Sequence, residues 1–537
     1  MILQDRFMFE YILTYVDKLY PLLYLNKQLY SNILIYIFKN KFISINDIEP
    51  RYYSFLKKID IFDIQNINLC IYCTDIIIRF RPKQRLSLEH FTKLKTIRFN
   101  NQQSLHLYTF PSTLKTIYFN ESFNEPIESL PVSIQSISLG FQYNQNIEWV
   151  QSLYNLTELY FGDMFNKELT EISFPVSLKR IEFGNNFNKS IQNINWPTNL
   201  QYLKFGIRFN QSMDLVKFPT KLISLEFDYC FNQPIPFNLF PDTLETLIFG
   251  IRFDQPISHI QWPSSLCFLQ FKGLFSHTMQ SIHFPKSLHT LKLSSLYNQP
   301  LYSLHNIKNL HLGFHYNHPL PNNLNSLVEL HFSSSFNHPL DDILFPNTLV
   351  IISFGRNFNQ PLDGIRWPLY LKKLSLGYDF SHPIHNLNIP TLERLHFGYK
   401  FNHSINEISW NAFQKLEFLS LSIEFDCFIN TRWYAPLREL DFGTYFNKPI
   451  ETITFPDSLE TIKFGTHFNQ SIQNVKWPTK LSYIHFGWDF IFPFIYTTWP
   501  NTLHTLLLDN PKQLKYYRLV NYNIYRIEIG SSIFIKK

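Results

Sequence analysis

The phrase FNQPI occupies residues 231–235, and close variants read YNQPL at 297–301 and FNQPL at 358–362. Its leading aromatic recurs at eighteen positions between Phe123 and Phe490, and eleven of the seventeen intervals have the same length as that from Phe187 to Phe209. A short, fixed period of this kind predicts a solenoid, in which each repeat forms one coil and packs only on its neighbours.

Two further landmarks keep register with the phrase. One reads I-x-[F/W]-P, as in INWP at 194–197, and the other reads L-x-x-L-x-F-G, as in LQYLKFG at 200–206. The second predicts a strand, because its apolar and polar positions alternate after the leading Leu turns in from a loop. It recurs about twenty times from Leu94 to Leu503. We therefore predict a leucine-rich-repeat-like solenoid, mainly parallel β with loops, with about 22 residues per coil.

Each position of the phrase has a predicted structural role. The glycine after the strand is expected to adopt a positive φ, and the aromatic to fold inward and stack with its equivalents as a spine. The following asparagine can donate and accept hydrogen bonds, so it can satisfy turn amides that lack a strand partner. Asp254, Ser276 and Ser381 are expected to substitute for it. The predicted structural asparagine ladder comprises Asn124, Asn166, Asn188, Asn210, Asn232, Asn337, Asn359, Asn447 and Asn469.

The three landmarks together resemble the FNIP repeat, a leucine-rich-repeat-like module abundant in amoebae and in the giant viruses that infect them. The resemblance covers roughly residues 94–510, and it departs from the pattern at 254–257, 276–279, 426–429 and 491–494. Residues 46–93 are expected to form a connector and N-terminal cap, and residues 511–537 a C-terminal cap, because a solenoid must cover its exposed ends.

Residues 1–45 are predicted to form a small α-helical region, since apolar residues recur there at helical spacing. The stretch 12–33 resembles the F-box, which implies docking to a Skp-type linker and a cullin ubiquitin ligase. The matching positions are Ile12, Leu13, Val16, Leu19, Leu22 and Leu23. The opening Leu-Pro and the Trp of the F-box are missing. The alternative is that these helices only cap the solenoid.

Composition bounds the remaining possibilities. The net charge of +6 is small for 537 residues and the basic residues are scattered, so a nucleic-acid partner is not expected. We expect no membrane span and no signal peptide, and therefore a cytoplasmic location, in the host cytoplasm if the protein is viral. Cys70 and Cys73 form a single C-x-x-C, which is too few ligands for zinc, so buried thiols are expected.

No nucleotide-binding, metalloprotease or hydrolase motif occurs in the sequence, so we predict no enzyme, no cofactor and no metal. Histidines that replace Gln in the phrase, such as the stacked pair His318 and His338, are interpreted as a polar ladder rather than a metal site.

The fifth position of L-x-x-L-x-F is expected to face outward, and its mixed residues suit protein recognition. They run Tyr160, Glu182, Lys204, Glu226, Ile248, Gln270, Lys292, His311 and His331. The alternation of Glu182, Lys204 and Glu226 equally suits cross-strand charge pairing. Three functions remain open: a substrate adaptor of a cullin ligase, a repeat scaffold without a ligase, and an enzyme with a site on a loop.

Overall fold

The computed structural model describes residues 73–80, 82–100, 105–302, 304–322, 324–385, 387–431, 433, 435–493 and 497–510. It also describes the backbone of four outlying strands, Ile43–Ser44, Lys58–Ile61, Arg526–Ile529 and Ser532–Ile535. The predicted N-terminal helices lie outside the described residues, as do Ile12, Leu13, Val16, Leu19, Leu22 and Leu23.

The chain divides into two units, Met1–Gln233 and Pro234–Lys537. In the first unit, β1–β3, β5 and β7–β12 pair in parallel in that order, and β4 pairs with β6. Among the described residues of this unit, two short 3-10 segments interrupt the coils, Leu105–Leu107 and Glu148–Ser152. Its strands are β1 (Ile43–Ser44), β2 (Lys58–Ile61), β3 (Asp75–Ile78), β4 (Leu86–Ser87), β5 (Thr96–Phe99), β6 (Tyr108–Thr109), β7 (Thr116–Tyr118), β8 (Ser136–Ser138), β9 (Glu158–Tyr160), β10 (Arg180–Glu182), β11 (Tyr202–Lys204) and β12 (Ser224–Glu226).

In the second unit, consecutive strands from β13 to β26 pair in parallel, and β27 closes the edge antiparallel to β26. One 3-10 segment occurs among its described residues, at Trp410–Ala412. Its strands are β13 (Thr246–Phe249), β14 (Phe268–Phe271), β15 (Thr290–Lys292), β16 (Asn309–His311), β17 (Glu329–His331), β18 (Ile351–Ser353), β19 (Lys373–Ser375), β20 (Arg394–His396), β21 (Phe418–Ser420), β22 (Glu439–Asp441), β23 (Thr461–Lys463), β24 (Tyr483–Phe486), β25 (Thr505–Leu508), β26 (Arg526–Ile529) and β27 (Ser532–Ile535).

The register between neighbouring strands confirms the predicted coil. Leu203 on β11 pairs with Ile181 before it and Leu225 after it, each one full repeat away in the sequence. A shorter coil joins Leu291 to Leu310, where the sequence period also shortens. Between residues 96 and 508 the described chain holds twenty strands in this series, and it contains no α-helix. Both units are therefore parallel β-solenoids of one repeating coil.

Each coil buries its apolar residues at the predicted positions. In the coil of β11, the leading Leu200, Phe205 directly after the strand, and the phrase residue Phe209 are fully buried. The ring of Phe209 stacks on Phe187 of the preceding coil, with centroids 6.1 Å apart and planes 4° apart. Burying one such ring contributes about 2 kcal/mol, so the spine is a major source of stability.

The glycine after the strand is required for a different reason from the predicted one. Gly206 has no positive φ, but a Cβ there would lie 2.1 Å from the carbonyl oxygen of Gly184 in the preceding coil. Successive turns approach so closely that the carbonyl occupies the space of a side chain. The expected positive φ was wrong for this glycine, and it holds at Gly443, where φ is 80°. In other coils Ser294 and Ser333 stand here, and their hydroxyls donate to the Phe275 and Tyr316 carbonyls.

Candidate protein-interaction surface

The outward face of each sheet is formed by the first and third residues of the strands, on either side of a buried central residue. These flanking side chains are mostly half-buried, because rows about 4.8 Å apart cover one another. The predicted outward row from Tyr160 to His331 occupies the third position. The face is thus a regular grid of polar, charged and aromatic groups.

In the first unit, charged side chains on the grid form ion pairs with one another and contact aromatic rings. Arg180 donates from Nε to Glu182 at 2.7 Å, and its guanidinium lies 5.3 Å from the centre of the Tyr202 ring. Lys204 Nζ lies 3.4 Å from a carboxylate oxygen of Glu226 on the next strand. The predicted cross-strand pairing is therefore found between β11 and β12, whereas Glu182 pairs within its own strand.

In the second unit, three half-buried histidines of the grid lie on strands β16 to β20. The rings of His311 and His331 stack with centroids 4.2 Å apart and planes 5° apart. Burial lowers the pKa of His311 to about 4, assisted by His331 and Lys292, and it lowers the pKa of His331 as well. Burial also lowers the pKa of His396 to about 4, with Lys373 and Arg394 adding to the effect. All three imidazoles are therefore neutral at pH 7.

A second surface, the post-glycine edge, runs along the turns that follow the strands. In the second unit it carries Tyr378, Tyr399, Ile423, Tyr445 and Trp488, of which Trp488 is 54% exposed. The rings of Tyr378 and Tyr399 stack at 4.2 Å. The first unit presents Phe141, Met164, Ile207 and Tyr229 in the same turns.

This edge was not predicted from the sequence. The available signal was an apolar residue one or two places after the glycine, in a turn where polar residues are the rule.

The asparagines of the phrase lie in a row of turns, one per coil. Asn188 Oδ1 accepts the backbone N–H of Asn210 at 2.9 Å, and Asn166 Oδ1 accepts that of Asn188 at 2.9 Å. The same bond is made by Asn124 to Asn144, Asn210 to Asn232, Asn337 to Asn359, Asn359 to Ser381, Asn447 to Asn469 and Asn469 to Ile491. Asp254 Oδ1 accepts the Ser276 N–H in the same way. These contacts tie neighbouring turns together and place the ladder in the framework rather than in a binding site.

Histidines in the phrase also contact the preceding coil. His318 Nε2 lies 3.1 Å from the Asn298 carbonyl oxygen, and His338 Nε2 lies 3.0 Å from that of Asn317. Among the described residues, no group of three or more His, Cys, Asp or Glu side chains is placed to hold a metal ion. Cys73 is buried, and Cys70 lies outside the described residues.

Concave features are shallow in the described part of the chain. A cleft of about 680 Å³ lies in the first unit beside β6, lined in part by Arg85, His106, Glu125 and Glu128. Its polar side chains alternate with prolines and Leu residues of the turns. No helix of the described residues has the length and apolar character needed to cross a membrane.

The sequence comparison identifies the class to which these coils belong. The family model described as FNIP Repeat matches residues 99–142, 154–186, 165–207, 209–251, 231–273, 316–357, 358–400 and 436–467, together more than half of the chain. The chain belongs to the FNIP repeat family. No curated protein sequence matches it.

Similar solved structures include "CroV588 a novel circular LRR protein structure". It is 26% identical with a TM-score of 0.69, over 89% of this chain and 82% of that one. The TLR13–ssRNA13 complex is 14% identical with a TM-score of 0.48, over 84% and 80% of the two chains. YopM from Yersinia enterocolitica is 17% identical with a TM-score of 0.36, over 81% and 91%. The first of these supports a leucine-rich-repeat-like fold.

Proposed function

We propose that the chain is a protein-interaction protein that presents its sheet face and its post-glycine edge to partner proteins. The observation that carries the proposal is the row of exposed and half-buried aromatic residues on the edge, with Arg356 4.6 Å from the centre of the Tyr378 ring. Tyr, Trp and Arg are the residues that most often dominate binding energy at protein interfaces. A rigid ladder of coils holds them at fixed spacing, so little conformational entropy is lost when a partner binds.

The test is capture of partners by the full chain and by a variant of the edge. Tyr378→Ala combined with Tyr399→Ala removes the stacked pair, and Tyr370→Ala is the matched control, because Tyr370 is exposed on a turn that precedes β19. We expect proteins captured by the wild type and by the control to be lost from the double variant. A captured set that is the same for all three chains would refute the edge as the binding surface.

A finer proposal is that the chain is a substrate adaptor of a cullin ubiquitin ligase. Its support is the F-box resemblance of residues 12–33 and the position of that stretch ahead of a repeat array. Residues 1–45 would bind a Skp-type linker, the coils would hold the target, and other subunits would transfer ubiquitin. The alternative is a scaffold whose N-terminal helices cap the coil. Neither version assigns a reaction to this chain.

Leu13→Glu distinguishes the two versions, with Thr14→Glu as a control off the apolar stripe. If the helices dock a linker, the full chain captures a Skp-type linker and a cullin, and Leu13→Glu loses both without a change in melting temperature. If the helices form a cap, Leu13→Glu lowers the melting temperature and neither protein is captured by the wild type. The second result refutes the adaptor proposal and leaves the scaffold.

A further inference from the structure

We propose that β15–β20 carry a docking site for an acidic segment of a partner protein. The site, here called the basic strip, consists of Lys292, His311, His331, Lys373, Arg394 and His396. The inference rests on the proposed protein-interaction function and specifies the chemistry of one partner.

The strip is continuous because the strand register aligns its members. One row of the grid runs Lys292, His311, His331, Ser353, Ser375 and His396, each paired with the next across neighbouring strands. The other row contributes Lys373 and Arg394, which are paired with each other. An extended segment that crosses the strands would therefore meet cationic or protonatable groups on every strand from β15 to β20 except β18.

A shallow notch interrupts the row between two of the histidines. His331 and His396 are three strand spacings apart, about 14 Å, and the residues between them in the row are Ser353 and Ser375. The two serine hydroxyls make no hydrogen bond with another described residue. Small side chains at these two positions leave room for carboxylates of a partner, and the hydroxyls are available to donate to them.

The cations of the strip lack acidic partners. Among the described residues, no carboxylate oxygen lies within 4 Å of the charged groups of Lys292, Lys373 or Arg394, whereas Lys372, just before β19, pairs with Glu393, just before β20, at 2.9 Å. Arg394 instead lies 4.1 Å from the centre of the Phe418 ring. Within the strip, His331 contacts an acidic side chain, because its Nε2 lies 3.8 Å from a carboxylate oxygen of Glu329. The strip is thus complementary to carboxylates supplied from outside.

A polypeptide fits this arrangement better than a nucleic acid. Tracking a phosphate backbone needs many cations in a stripe, and the strip has three fixed ones. Beyond His396 the same grid is mixed in charge, because Glu439 on β22 pairs with Lys463 on β23 at 2.5 Å and Asp441 is the register partner of Lys463. A phosphate backbone that continued along the grid would meet these carboxylates, whereas a peptide with a short acidic run would end before them.

The test is fluorescence anisotropy of the full chain with a fluorescein-labelled octaglutamate peptide at low salt. Lys373→Glu combined with Arg394→Glu reverses two charges of the strip, and Lys286→Glu combined with Lys480→Glu makes the same change on exposed turns of the same unit. We expect at least tenfold weaker binding for the first variant and less than twofold weaker binding for the second. Equal losses would overturn the site, because net charge alone would then explain the binding.

Filling the notch tests its shape without altering charge. Ser353→Leu is expected to weaken the binding of the peptide about fivefold, while Ser138→Leu, at the equivalent position of β8 in the other unit, leaves it unchanged. Unchanged binding by Ser353→Leu would overturn the notch as the place where the carboxylates bind.

Binding is also expected to tighten several-fold between pH 7 and pH 5.5. Carboxylates of the peptide favour the protonated form of His331 and His396, which face His311, Lys292, Lys373, Arg394, Glu329 and Glu439 in the free chain. No binding by the wild type across this range would overturn the proposal. Equal competition by a single-stranded oligothymidylate of the same charge would replace the peptide with a nucleic acid. Either failure leaves the capture of partners at the post-glycine edge untouched.

Discussion

Replacing Asn188 with Ala removes one rung of the asparagine ladder. Its Oδ1 accepts the backbone N–H of Asn210 at 2.9 Å and the side-chain amide of Gln211 at 3.0 Å. The Gln211 amide can turn to water at little cost, but the Asn210 N–H is left without an acceptor in a partly buried turn. An orphaned donor costs about 1–3 kcal/mol, so we expect the turn to be destabilised by about 2 kcal/mol.

Hydrogen exchange measured by mass spectrometry detects the destabilisation of this turn locally. The opening of one turn need not unfold a repeat protein, because each coil contacts only its neighbours. A loss of about 2 kcal/mol makes exchange at the Asn210 amide roughly 30-fold faster, since about 1.4 kcal/mol corresponds to a factor of ten. Peptides that cover residues 205–215 report this amide.

Asn193→Ala is the matched control, because Asn193 is exposed on the same coil and its side chain makes no hydrogen bond with another described residue. We expect this variant to exchange at the wild-type rate. If Asn188→Ala exchanges no faster than Asn193→Ala, the side chain does not stabilise the turn, and the structural role assigned to the ladder is wrong.

Two further perturbations test the packing of the coil and the burial of its histidines. Gly206→Ala places a Cβ against the Gly184 carbonyl, and we expect it to lower the free energy of unfolding by about 3 kcal/mol in a urea titration. Gly364→Ala, at a φ of 83° with nothing within 4 Å, should cost only about 1 kcal/mol, and equal losses would contradict the steric explanation. The pKa of His311 and that of His396 are depressed to about 4, so the folded state binds fewer protons than the unfolded state. Their contribution to stability is complete above pH 6.5 and is lost as the pH falls towards 4, by about 1 kcal/mol each after solvent screening. Thermal melts at pH 7 and pH 4.5 should therefore differ less for a His311→Gln and His396→Gln variant than for the wild type, and an identical difference would refute the burial effect.

Much of the structure of one coil could be predicted from the sequence, because burial within a coil depends on the order of residues in a single repeat. Leu200, Phe205 and Phe209 are buried where the periodic pattern placed them. The pattern repeats every coil, so one correct assignment of faces applies to all of them. The glycine was assigned correctly as a turn residue, but for the wrong reason. A side chain at Gly206 is excluded by the carbonyl of Gly184, which belongs to the preceding coil. A rule that considers only neighbouring residues in the sequence does not detect this contact.

The candidate surface was less predictable than the fold. The outward row was identified by alternation, but which charges pair depends on side-chain reach across strands. Lys204 reaches Glu226, while Glu182 turns to Arg180 instead. The post-glycine edge was missed because exposed aromatics in turns look like core residues when only composition is considered.

Periodicity in the chain was sufficient to establish parallel coils of about 22 residues, since burial of an apolar face depends on residue order within one repeat. It also specified the asparagine and aromatic positions on which each coil stacks. The tertiary structure alone decided that Ser353 and Ser375 lie between His331 and His396, and that Lys373 and Arg394 stand beside them without carboxylates. Such neighbours are set by the register between coils, which brings together residues that lie a whole repeat apart in the sequence. The proposed binding function depends on those lateral neighbours, because a partner that lies across the sheet would contact several coils at once.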